Sequence, residues 1–218
     1  KAYILVNGDK IGSTDGVVNS AADSKTADGL NKENGKSTRT GYYLRKLLRS
    51  DINLNPNATT KQKHLNARIR STEILLDYAE AANEAKGPKV NVGGANYSAY
   101  DVIKAIRKRA GIGEFGEDPY LEECAQTKDK MRELIRNERR LELCFENHRF
   151  WDLRRWKAKL NEAAKGINIT TDEATGAFVY KTFDAEERKY DDHYMYYGPI
   201  PYSEILKYSN LKQNEGWK

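Results

Sequence analysis

Sulfur, histidine and long apolar runs are all scarce in this chain. Its 218 residues include two cysteines, two methionines and three histidines. Cys124 and Cys144 form no Cys-x-x-Cys pair and no Cys/His ligand set, which excludes the cysteine-based metal and redox motifs. The sequence leaves a disulfide between them open, and a structural role is expected of both. His64, His148 and His193 lie far apart in sequence, and Glu146 with His148 lacks the i, i+3 spacing of di-iron bundles. No apolar run approaches the length that crosses a bilayer. Gly-x-Ser-x-Gly, P-loop and dinucleotide fingerprints are absent too. Neither a metal nor a cofactor is expected.

Charge is abundant. Charged residues make up 32% of the chain and the mean hydropathy is -0.84, a water-soluble composition. At 39% hydrophobic and 10% aromatic it is still apolar enough to fold. The length suits one domain with a real core or two small ones. Basic residues outnumber acidic ones by 37 to 32, giving a net charge of +5 with interspersed signs, a weak argument for any polyanionic partner. The chain opens on Lys1 without Met, and Lys-Ala-Tyr-Ile-Leu-Val lacks the layout of a signal peptide. Any export signal or lipid anchor is therefore expected before Lys1.

Residues 131–156, MRELIRNERRLELCFENHRFWDLRRW, carry the strongest pattern. Wound as a helix, positions 131, 134, 135, 138, 141, 142 and 145 share one broad stripe. Met131, Leu134, Ile135, Leu141 and Phe145 make it apolar, yet Glu138 and Glu142 sit in its middle. A carboxylate on a core-facing stripe is costly unless paired and hydrogen-bonded. Arg136, Arg139, Arg140, Arg149, Arg154 and Arg155 are at hand as partners. The spacing predicts a helix over 131–145, a sharp turn at Asn147-His148 and a second short helical segment, held by inward Glu–Arg pairs.

Glu138 and Glu142 are also the residue types of a glycosidase carboxylate pair. Their basic surroundings should hold both ionised, whereas acid catalysis needs one pKa raised. An ion network with no catalytic residue is the expectation. Residues 149–159 interleave arginine and aromatics as single-strand nucleic-acid binders do. Phe145, Leu153 and Trp156 fall on the extension of the inward stripe, however, so these aromatics are assigned to the core and no nucleic acid is expected. Of 14 tyrosines, Tyr190, Tyr194, Tyr196 and Tyr197 cluster beside Gly198-Pro199-Ile200-Pro201. Such rings stack on sugars or present rigid area to peptides, but beside an extended proline segment packing is the expected role.

Elsewhere the chain alternates loops and helices. Residues 7–40 read as an irregular excursion after a short strand at 3–6, residues 41–48 reopen ordered structure, and 53–60 is a turn-rich break. Ile74, Leu75, Tyr78, Ala82 and Ala85 predict a helix with Ser71 as N-cap and Gly87-Pro88 as its stop. Ser98 and Asp101 form a capping-box start, with Val102, Ile103, Ile106 and Ala110 facing inward until Gly111. After Trp156, residues 163–192 carry turn signals, 178–183 alternate as a strand, and 203–205 open a last helical turn.

Several segments resemble the RagB/SusD family. Its signature runs roughly IRxERRxELxFEGxRxxDLRRW, and Glu138, Arg139, Arg140, Glu142, Phe145, Glu146, Arg149, Asp152, Leu153, Arg154, Arg155 and Trp156 fall in register. Asn147 replaces the usual Gly, a mild exchange at a left-handed C-cap. GYYLRKLL at 41–48, IRSTEILLDYAEAA at 69–82, Arg-Ala-Gly-Ile at 109–112 and the tail at 210–217 resemble further family segments. Thr72 departs from the usual Ala, and Ser209 and Glu215 alter the tail. These segments cover 41–218.

The resemblance implies a mainly α, tetratricopeptide-like helical superhelix with long irregular loops and a few short strands. Residues 1–218 would be the C-terminal part of one such domain: a loop-rich excursion at 1–40, a helical core with the signature at 41–160, and a loop-rich region at 161–218. It further implies a non-enzymatic nutrient-binding subunit of polysaccharide utilisation, exposed at the cell surface. That subunit would be lipid-anchored to the outer membrane through an N-terminal region outside this chain. It would deliver an oligosaccharide, or alternatively a peptide, to a SusC-like TonB-dependent transporter. The family's N-terminal half, as another part of the polypeptide or a separate chain, is an expected partner, because stacked helical hairpins bury their faces only against neighbours. Without it, apolar residues at 74–85 and 102–110 should stand exposed. A glycoside-processing enzyme using Glu138 and Glu142, or a helical scaffold with only protein partners, are the rival classes.

Glu138, Arg139, Glu142, Glu146, Arg149, Asp152, Arg154, Arg155 and Trp156 are thus read as a structural signature, with ligand residues unassigned. Glu142→Ala and Arg149→Ala are each expected to cost about 3–5 kcal/mol of folding stability, the cost of breaking a buried pair. Thermal denaturation reads this directly. A variant that keeps wild-type stability but loses activity on a substrate contradicts the structural reading.

Overall fold

The computed structural model describes residues 3–10, 16–49, 51–52, 62–63, 67–113 and 115–217. The break read at 53–60, and His64, lie outside them. The chain divides into two compact units, residues 64–149 and residues 1–63 with 150–218. Helices carry the main core and the strands form two separate two-stranded ribbons, so the expected mainly α class holds.

In the unit 64–149, α1 (Ser71–Lys86) packs on α2 (Ala99–Arg109) and α4 (Lys128–Glu142), and the short α3 (Pro119–Cys124) packs on α4. Their starts are chemically specified. Ser98 accepts from the Asp101 N–H while the Asp101 carboxylate accepts from the Ser98 N–H, the predicted capping box. Asp118 caps α3 at Leu121 with Pro119 in the first turn, and Thr127 caps α4 at Lys130. Leu76, Ile103, Leu121, Met131, Leu134 and Ile135 meet in the core. Burying each large aliphatic side chain contributes roughly 1.5–3 kcal/mol.

The phase of α1 differs from the one read in the sequence. Its inward residues are Thr72, Leu76, Ala79, Ala82 and Asn83, whereas Ile74 is 57% exposed and Leu75 and Ala85 also face solvent. Two polar residues turn inward, each bonded to a distant group, although Asn83 Oδ1 is left without a partner among the described residues. The Thr72 hydroxyl accepts from Arg109 Nη1 at 3.1 Å, and Asn83 Nδ2 donates to the Lys128 carbonyl at 3.0 Å. Ser71 is the first helical residue rather than the cap, which falls on Arg70 without a side-chain bond. On α2, Val102, Ile103 and Ile106 are buried as read, whereas Ala110, read as inward, is the C-cap and faces solvent.

Helix α4 stops at Glu142, earlier than the predicted 145. Past that point the helical stripe no longer applies, and Phe145 stands 50% exposed. Leu141, at the edge of the stripe, is 49% exposed. The following turn holds Phe145 and Asn147 at φ 63° and 66°, and α5 (His148–Arg155) begins directly after it. The left-handed conformation explains why Asn serves where a Gly is usual. Cys124 and Cys144 form no disulfide with each other, which settles the pairing left open above.

In the other unit, β1 (Ile4–Leu5) pairs antiparallel with β2 (Tyr43–Leu44). β3 (Ala164–Thr171) pairs with β4 (Phe178–Glu186). β3 lies within the stretch read only as turns, and its strand character rests on Ile167 and Ile169 alternating with polar residues. The Ile167 N–H donates to the Thr40 carbonyl at 2.8 Å. Gly41 follows at φ 81°, where a Cβ would collide with the Ile167 carbonyl, which gives the Thr-Gly-Tyr segment a physical reason. The last helical turn, α6 (Tyr202–Ile205), is where it was expected.

Candidate functional site

The signature glutamates are placed inward, and arginines of α2 meet them. Glu138 Oε1 accepts from Arg107 Nη1 at 2.6 Å, and the same guanidinium donates through Nε to Asp118 Oδ2 at 2.5 Å. All three side chains are buried or nearly so. Glu142 accepts from Arg109 Nη2 at 2.6 Å. Arg139 pairs with Asp77 of α1, and Glu146 receives both Nε and Nη2 of Arg70 at 2.8 Å. Arg107 and Arg109 lie outside the signature run, so sequence proximity could not have named them. The role of the signature as a structural network remains our proposal.

Electrostatics separate the two carboxylates on Arg107. Arg107 holds Asp118 below its ordinary range. Burial pushes Glu138 up, outweighing the pull of Arg107, where the sequence had suggested that basic neighbours would keep it ionised. Glu138 is only 5% exposed and its Oε1 accepts from Arg107.

The remaining signature residues lead to a surface cleft. Asp152 is buried and accepts from Arg155 at 2.8 Å, and Arg155 lies 4.8 Å from the Trp156 ring centre. Arg149 is the second residue of α5, after His148, whose Nε2 is 3.7 Å from Glu73. From Phe150 onward, α5 lines a hollow of about 520 Å³ with Phe150, Trp151 and Arg154. The segment 189–199 supplies its other wall, including Tyr190, Tyr196 and Tyr197, and Trp217 closes one side. Phe150 and Trp151 meet edge to face at 5.0 Å. Trp151 is 67% and Tyr197 66% exposed, contrary to the expectation that aromatics here belong to the core.

Backbone pins hold this cleft in shape. The Tyr196 hydroxyl donates to the Lys157 and Ala158 carbonyls at 3.2 Å. Gln213 bridges the Ile200 N–H and carbonyl at 2.8 and 2.9 Å, Asn214 Nδ2 reaches the Gly198 carbonyl at 2.7 Å, and Trp217 Nε1 donates to the Tyr197 carbonyl at 3.0 Å. Gly216, at φ 83°, passes so close to Tyr194 that a Cβ would strike the ring. The tail segment 210–217 thereby fixes the proline strand and aims its tyrosines. Among the described residues, the rings on these pinned segments form a surface suited to stacking, with polar edges.

The arrangement defines a class, a mainly α scaffold whose signature glutamates are folded inward and whose exposed chemistry is aromatic. The chain belongs to the SusD family, whose profile matches residues 1–217. That match includes the first 40 residues, which the motifs alone had not covered. It is 30% identical to SusD-like protein P2 of Formosa agariphila over 146 residues, 67% of this chain and 24% of that protein. The crystal structure of a SusD-like protein from Bacteroides fragilis is similar with a TM-score of 0.71 at 28% identity, covering 99% of this chain and 38% of that one. The chain thus spans well under half the length of either.

The opposed shifts on Arg107 set a pH signature. Glu138's contribution to stability is fully present below its ordinary 4.5 and is lost as pH rises through its raised native value. Asp118's contribution is present above its ordinary 3.8 and lost as pH falls through its lowered one. Between about pH 7 and pH 4.5, wild type should therefore gain stability on Glu138→Gln as the solution is acidified. Chemical denaturation of both proteins across that range gives the comparison, and a constant gap contradicts the assignment.

Proposed function

We propose that this chain is the ligand-capturing part of a cell-surface nutrient-binding subunit, and that the aromatic cleft of Phe150, Trp151, Tyr197 and Trp217 holds an oligosaccharide. The observation that carries this reading is the cleft itself. Phe150, Trp151 and Tyr197 expose their rings to solvent beside the half-buried Trp217, whose Nε1 is tied to the Tyr197 carbonyl, an arrangement suited to pyranose stacking. Membership of the SusD family supports the remaining terms. The subunit is anchored to the outer membrane through a lipidated region preceding this chain and passes its ligand to a SusC-like TonB-dependent transporter. Capture requires no covalent step, which agrees with Glu138 and Glu142 being occupied by Arg107 and Arg109.

Isothermal titration of the intact protein with an oligosaccharide panel tests the reading. Saturable binding is expected, with sugars recovered intact by chromatography. Trp151→Ala and Tyr197→Ala should each weaken binding by about 1 kcal/mol, roughly fivefold, without changing the melting temperature. Cleavage products that disappear on Glu138→Gln would overturn it in favour of an enzyme. Peptide binding at the same cleft with no response to any sugar would replace the ligand class.

A further inference from the structure

Resting on the reading of the cleft as an oligosaccharide site, we infer that it selects acidic sugars, with Arg154 and Lys189 receiving a carboxylate or sulfate group of the ligand. These two are the only charged side chains among its described lining residues, and both are basic. Arg154 is half-buried. Its guanidinium lies 3.5 Å above the Phe150 ring and 5.3 Å from the Tyr190 ring. Nη1 donates to the Phe150 carbonyl at 3.0 Å and Nη2 to the Tyr190 hydroxyl at 3.2 Å.

Every one of those partners is neutral. The arginines of the helical unit's ion network are treated differently: Arg70, Arg107, Arg109 and Arg139, whether buried or exposed, each face a carboxylate. Arg154 faces none among the described residues, which leaves a partly desolvated cation with part of its five-donor fork unused. Stacking on Phe150 holds the fork flat, so an anion engaging it in a bidentate manner meets a pre-ordered partner. Lys189, exposed on the opposite wall, adds a second positive charge without a carboxylate partner among the described residues. Asp191 and Asp192 line the adjoining hollow with His193, and the Asp191 carboxylate is bonded within its own loop to the His193 N–H at 2.9 Å. Lys189 borders both hollows, so its charge is shared with Asp191 and Asp192, while Arg154 lines the aromatic cleft without a carboxylate beside it among the described lining residues. A neutral glycan stacked on Trp151 would leave that guanidinium uncompensated, whereas a uronate or a sulfate ester would neutralise it.

The test titrates the intact protein at low salt with three hexasaccharides, a neutral glucan, an oligogalacturonate and a sulfated galactan. At least one acidic sugar is expected to bind about tenfold or more tightly than the glucan, with an advantage that shrinks as salt is added. Which acidic sugar wins distinguishes carboxylate from sulfate as the anion. Arg154→Gln and Lys189→Gln should each reduce that advantage, and Lys189 is exposed enough that its replacement leaves folding intact. Equal affinity for all three sugars, or an acidic preference that survives both substitutions, overturns the inference while leaving the oligosaccharide reading in place. Binding of no hexasaccharide, or binding indifferent to Trp151→Ala, overturns the oligosaccharide reading, and the inference falls with it.

Discussion

One guanidinium organises the helical unit. Arg107 leaves α2 and donates to Asp118, the N-cap of α3, and to Glu138, in the middle of the buried face of α4. Asp118 shares its carboxylate between this pair and the Leu121 N–H. Three helices are therefore fixed by groups that cannot be removed singly without stranding a charge. A buried pair gains little net stability over a hydrophobic replacement, but losing one partner is severe. What such a network contributes is a unique register. Only one rotation of α4 brings Glu138 to Arg107 and Glu142 to Arg109, and that rotation also turns Met131, Leu134 and Ile135 into the core.

The same dependence on distant partners explains what the sequence revealed and what it hid. Local rules identified the capping box at Ser98, the inward glutamates and the left-handed position at Asn147, because each is decided within a few residues. They misplaced the face of α1, since burying Thr72 and Asn83 is favourable only once Arg109 and the Lys128 carbonyl are in position. They also extended α4 too far and so sent Phe145 inward. β3 was missed because its two alternating isoleucines sit among residues that also favour turns. Its partner, whose pattern was clearer, was found. The pairing partners of the signature came from α2, a helix with no signature of its own.

The cleft was legible in pieces. The tyrosines of 190–197, the basic-aromatic run after Arg149 and the terminal Trp217 all attracted attention or a family likeness, yet nothing in their spacing placed them side by side. Arg154 donating to the Tyr190 hydroxyl, Tyr196 donating to the Lys157 and Ala158 carbonyls, and the bonds of Gln213, Asn214 and Trp217 to residues 197–200 bring them together. Two uses of arginine then separate within one signature. Arg139 and Arg155 are paired with carboxylates, while Arg154 rests on the rings of Phe150 and Tyr190.

The central claim, that Arg107 and Glu138 act as one unit in the fold, is tested most directly by a double-mutant cycle read by chemical denaturation. Arg107→Ala, Glu138→Ala and the double variant are compared with wild type. A coupling energy on the order of 1–3 kcal/mol is predicted, the double variant losing much less than the sum of the single ones. Additive losses, with a coupling near zero, would contradict it.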